Sequence, residues 1–89
     1  MQPMIASVIT VTTSPTLLVA ETANATRTIY FEPLDNDVHI GGSAVTTTTG
    51  LVTKKDVITM MILPPQNSLY AVTTTGTVNI RLMVPEGDF

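Results

Sequence analysis

Apolar residues recur at every second position in stretch after stretch of this chain, and a period of two is the mark of strands with one buried face. Val78, Ile80, Leu82 and Val84 alternate with Thr77, Asn79, Arg81 and Met83. Ile29 and Phe31 alternate with Thr28, Tyr30 and Glu32, and Val38 and Ile40 with Asp37 and His39. Near the start, Ile5, Ile9 and Val11 share one phase and Ala6, Val8, Thr10 and Thr12 the other. Thr supplies 17 of the 89 residues. Its β-branched side chain favours strand over helix, so the polar positions push the same way as the apolar ones.

Turn chemistry divides these runs. Pro15 breaks the first strand and Thr16–Ala20 resumes it, because proline donates no ladder hydrogen bond. Residues 21–26 are small and polar, a loop; Pro33 ends the strand that begins at Arg27. Asp35 and Asn36 suit a turn, since both tolerate left-handed conformations and bond their own backbone. The Gly41-Gly42 pair is expected to turn the chain through positive φ, followed by a short strand at Ala44–Thr46 and a Thr-Thr-Thr-Gly turn ending at Gly50. Leu51–Thr53 reads as a brief strand and Lys54-Lys55-Asp56 as a charged turn or sheet edge. Val57–Leu63 is apolar in both phases, which predicts burial on both sides and the most buried strand of the fold. Pro64-Pro65-Gln66-Asn67 is an irregular connection, Leu69–Val72 a strand and Thr73–Gly76 a turn. Turn signals about every 8 to 12 residues predict an all-β fold: a small antiparallel β-sandwich or jelly-roll-like barrel of seven to eight short strands. The expected organisation is a single domain over residues 1–89, with an extended arm at 1–5 and a short tail at 85–89.

Size and charge bear on what such a domain does. A chain of 89 residues buries only about 60 to 65% of its unfolded surface. It has no Cys to staple the thin core, so close packing or partner subunits must supply the stability. Charged residues make up 12%, half the usual share, too few to cover a free monomer comfortably. Arg27, Lys54, Lys55 and Arg81 are the only basic residues and the net charge is −3, which argues against direct nucleic-acid binding. No apolar run is long enough to span a membrane, and Met1-Gln2-Pro3-Met4 lacks the basic start of a signal peptide. A soluble, unprocessed chain is expected.

The residues that carry chemistry are sparse. His39 is the only histidine, so a multi-histidine metal site is excluded, and it reads as an exposed or interface residue rather than a base. Glu32, Asp35 and Asp37 lack the ligand series of an EF-hand and fit turn roles better. Gly41-Gly42 opens no helix and precedes no Lys-Ser or Lys-Thr, so it is no phosphate cradle. Sugar stacking has little to work with: there is no Trp, and Tyr30, Phe31, Tyr70 and Phe89 are the only aromatics. Catalytic, cofactor-binding and metal-binding residues are therefore none, and the chain is not expected to be an enzyme. The informative feature is the second apolar phase, Ile58, Met60 and Ile62, opposite Val57, Met61 and Leu63. Exposing those three would cost up to roughly 5 to 9 kcal/mol. Either the first strand and the loops cover them or a neighbouring subunit does.

The order of the motifs carries a resemblance. Arg27-Thr28-Ile29, Val38-His39-Ile40-Gly41-Gly42, Val45-Thr46-Thr47 with Gly50-Leu51, Leu69-Tyr70-Ala71-Val72, Gly76-Thr77 and Val78-Asn79-Ile80-Arg81-Leu82 follow one another. That series, over about two thirds of the chain, resembles small β-sandwich accessory virion proteins of tailed bacteriophages, of the capsid decoration, cement or head-fibre kind. Where many such proteins have an Asn-Gly-type turn before the Val-x-Ile strand, this chain has Phe31-Glu32-Pro33-Leu34-Asp35-Asn36. The resemblance implies a structural virion protein that is made in the host cytoplasm and self-associates as a homotrimer. It would sit on the outer capsid surface, tying subunits of the major capsid protein and stabilising the phage head. The expected interface residues are Met1, Met4 and Ile5 in the arm, Ile58, Met60 and Ile62 on the strand face, and Phe89 in the tail. The alternative is a receptor- or glycan-binding module of a phage tail or head fibre, using the loops Glu32–Asp37 and Thr46–Gly50.

Overall fold

The computed structural model describes residues 4–21 and 26–85. These form eight strands and no helix: β1 (Met4–Val11), β2 (Thr16–Val19), β3 (Arg27–Pro33), β4 (Val38–Gly41), β5 (Leu51–Thr53), β6 (Thr59–Leu63), β7 (Leu69–Val72) and β8 (Val78–Pro85). Pairing is nested and antiparallel throughout: β1 with β8, β2 with β7, β3 with β6, β4 with β5. Two more ladders, β3 with β8 and β4 with β7, join these pairs into a front sheet, β1-β8-β3-β6, and a back sheet, β2-β7-β4-β5. A long hairpin wound so that its successive pairs alternate between two layers gives this order, which is the jelly roll. Every connection crosses between the sheets except β4–β5.

Side-chain alternation explains the layering. In β3, Arg27, Ile29, Phe31 and Pro33 are buried while Thr28, Tyr30 and Glu32 face outward; in β8, Val78, Ile80 and Leu82 point in. These meet Val38, Ile40, Leu69 and Ala71 of the back sheet in one apolar core. β2 contributes two consecutive core residues, Leu18 and Val19, which strict alternation forbids. A register shift between Leu17 and Val19 against β7 turns both inward, as a β-bulge does. Arg27 lies buried where β3 begins and donates from Nη2 to the Ala20 carbonyl at 2.8 Å, holding the end of β2 to the start of β3.

Several expectations are corrected. β6 is not the most buried strand but an edge, and Val57 and Ile58 precede it on the surface. Met4 and Ile5 belong to no free arm: they begin β1, opposite Pro85 and Val84. Ala44–Thr46 forms no strand. Gly41 and Gly42 do not adopt positive φ; among the described residues Asp56, Gln66 and Gly76 do. The glycine requirement at Gly41 and Gly50 is spatial instead. A Cβ at Gly41 would lie 2.9 Å from Val45 Cγ2. One at Gly50 would lie 2.8 Å from both His39 Cβ and Val45 Cγ2, and 3.0 Å from the Thr46 carbonyl. Val45 is thereby pressed onto the outward side of β4, and the loop 42–50 folds back over the back sheet. Gly50→Ala is expected to destabilise the domain by about 1 to 3 kcal/mol through overpacking. Gly42→Ala, with nothing within 4 Å of the added carbon, should cost no more than about 0.5 kcal/mol. Urea midpoints of the two variants check the contrast.

Candidate interaction surface

The two outward faces of the sandwich differ. On the back sheet, Val72 is opposite His39 and so points away from the core, yet it is buried. The loop 42–50 covers it, with Val45 buried beside it. Hydrogen bonds inside that loop keep it compact: Thr46 Oγ1 accepts from the backbone N–H of Thr49, and Gly50 N donates to the Thr46 carbonyl at 2.9 Å. A shallow groove lies alongside, lined by Thr13, Pro15, Thr47, Thr73 and Thr74.

The front sheet carries no such cover among the described residues. Register places Ala6, Met83, Tyr30 and Met60 in one outward row crossing all four strands. On one side of it runs Val8–Arg81–Glu32, with Ile58 at its end; on the other, Thr28 stands opposite Ile62. Val8, Ile58, Met60 and Ile62 are 58 to 68% exposed, and Tyr30 and Met83 about 40%. Strand spacing makes the face about 15 Å wide from β1 to β6. A concavity of about 520 Å³ occupies its middle, bounded by Ala6, Val8, Tyr30, Ile58 and Met83. Arg81 Nη1 lies 3.7 Å from Glu32 Oε1, so the charges within the patch offset each other. Monomeric proteins rarely leave a contiguous apolar patch of several hundred Å² in water unless it is functional.

Ile58, Met60 and Ile62 thus fall together on one face as exposed neighbours. The structure adds Ala6, Val8, Tyr30 and Met83 to them. Their signal was present in the sequence as apolar residues in the outward phase of three other strands; only the register assembles them into one surface. Met1 and Phe89 lie outside the described residues. No family model, curated protein or solved structure matches this chain.

The acidic residues serve the framework. Asp35 Oδ2 accepts from Asn79 N at 2.8 Å, tying the β3–β4 loop to β8. Asp37 Oδ1 accepts from Lys55 N at 2.6 Å, and its Oδ2 lies 3.5 Å from Lys54 Nζ. The Lys55 N–H, aided by the Lys54 ammonium, holds the Asp37 carboxyl below its ordinary value of 3.8. A depressed folded-state pKa contributes stability that is fully present above pH 3.8 and is lost as the pH falls through the folded value. Asp37→Asn keeps an acceptor for Lys55 but carries no charge. Its loss of stability relative to the parent is expected at pH 7 and should shrink towards pH 3, as denaturant midpoints at both values would show. His39 Nδ1 and Thr73 Oγ1 are buried without a hydrogen-bond partner, and no group of three His, Cys, Asp or Glu converges among the described residues.

Proposed function

We propose that this chain is a structural assembly module: a small jelly roll that self-associates through the outer face of its front sheet and serves as an accessory protein of a virus particle, of the capsid decoration kind. The observation that carries the reading is the unequal treatment of the two faces. Among the described residues, loop 42–50 covers one face, while the other carries an uncovered apolar row running from Ala6 to Met60. Stable protein interfaces bury upwards of about 1,000 Å² in total, so the face must be shared among copies along most of its length. The order of sequence motifs supports the virion setting, and the major capsid protein is the partner it implies.

Light scattering of the purified chain is expected to give a homo-oligomer, a trimer in this reading. Binding to phage shells stripped of the protein should then saturate at a fixed copy number. A monomer at micromolar concentration that ignores the shells would end the proposal.

A further inference from the structure

Among the described residues, no strand pairs with the outer edges of β1 and β6, the two outermost strands of the front sheet. Natural sheets blunt such edges with charge, proline, bulges or short strands. The back sheet does so: β2 is bulged, and β5 has three residues and runs into Lys54-Lys55. The front sheet does not. β6 reads Thr-Met-Met-Ile-Leu and the interior of β1 Ile-Ala-Ser-Val-Ile-Thr, without charge or proline.

We propose that β6 of one copy pairs with β1 of the next, closing three front sheets into a ring around a threefold axis. This rests on the self-association proposed above and names its geometry. Direction permits it. β1 is antiparallel to β8, β8 to β3 and β3 to β6, so β6 runs opposite to β1. Rotation about an axis along the strands preserves strand direction, and the neighbour's β1 therefore meets β6 antiparallel. A head-to-tail contact of this kind forms a ring when its rotation closes.

Size selects the number. Four strands at about 4.8 Å give each sheet a side of about 19 Å, and a triangle of that side has its faces about 5.5 Å from the axis. Packed sheets lie about 10 Å apart, so side chains fill about 5 Å on each. The row Ala6–Met83–Tyr30–Met60 would fill the space inside three copies. Four copies would leave their faces nearly 10 Å from the axis, with an open channel. Two copies stacked face to face would fill theirs but leave all four front-sheet edges unpaired. The Arg81–Glu32 pair gives each face no net charge to oppose convergence.

The chain contains no Cys, which makes cross-linking selective. Ser7 in β1 is exposed and Thr59 in β6 half-buried. Ser7→Cys and Thr59→Cys, singly and combined, would be treated with a short bis-maleimide and run on denaturing gels, with light scattering in parallel. The ring predicts a covalent trimer from the double variant and no cross-linked species from either single variant, because each contact joins unlike edges. Cross-linked dimers from a single variant would indicate a twofold arrangement and overturn the ring while leaving self-association intact. An oligomer whose double variant stays uncross-linked would also overturn it. A monomer by light scattering would remove both proposals.

Discussion

Met60→Lys is expected to leave a folded monomer. Met60 ends the exposed row on the edge strand β6, opposite Tyr30, and 58% of it meets solvent in the single chain. In the isolated domain a lysine there would reach water, and its effect on unfolding free energy should stay within about 0.5 kcal/mol. In the assembly the same ammonium would be buried among Tyr30, Met83 and their counterparts, where Glu32, the carboxylate described on that face, is engaged with Arg81. An uncompensated buried charge costs about 3 to 5 kcal/mol, more than roughly a hundredfold in dissociation constant. Light scattering should show the lower mass while the far-ultraviolet dichroism stays unchanged. Thr48→Lys, on the exposed loop behind the opposite sheet, should leave the mass as it was. Loss of fold in Met60→Lys, or retention of the oligomer, would remove the outer face of the front sheet from the account.

The second large effect concerns the core. Phe31 is 1% exposed, at the centre of the front sheet between Thr59 of β6 and Leu82 of β8. Phe31→Ala is expected to cost about 3 to 5 kcal/mol, from lost transfer energy and the cavity left behind. A domain of 89 residues has roughly 4 to 13 kcal/mol in all. The melting midpoint should fall by on the order of 15 °C or more. If copies associate, that midpoint should also rise with protein concentration, because binding to the native state stabilises it by mass action. A fall of under about 5 °C would mean the cavity collapses and that the layers are less tightly packed than the burial of Ile29, Phe31 and Ile80 implies.

Much of the fold was legible because local rules and tertiary structure agree. The β3 strand begins at Arg27 and ends at Pro33, β7 is Leu69–Val72, and β8 holds the clearest alternation; all three follow the sequence pattern to within a residue. Two features were misread for definable reasons. Gly41 and Gly42 look like a backbone hinge, but Gly41, like Gly50, supplies room for Val45, and a close approach across a loop leaves no local signature. Val57–Leu63 looks central because both its phases are apolar. In a lone chain that pattern means two covered faces, yet here β6 is an edge with Met60 and Ile62 in solvent. The pattern reports apolar side chains in both phases, not where the strand lies in its sheet. Of the candidate surface, the β6 residues were visible in advance. Ala6, Val8, Tyr30 and Met83 were not, because cross-strand register is a long-range property.

The nested order of pairing also governs when this molecule becomes itself. β8 inserts between β1 and β3, and β7 between β2 and β4, so each layer waits for a strand from the final quarter of the sequence. During synthesis β1 emerges first and has no backbone partner until β8 follows, with Met4 meeting Pro85. Contacts that distant in sequence make folding slow, in the millisecond to second range for sheets of this kind. The greasy strands made early must therefore stay soluble on their own until the last one arrives. Thr10, Thr16 and Thr28 in those strands, polar enough for water and branched enough for a sheet, suit both halves of that wait.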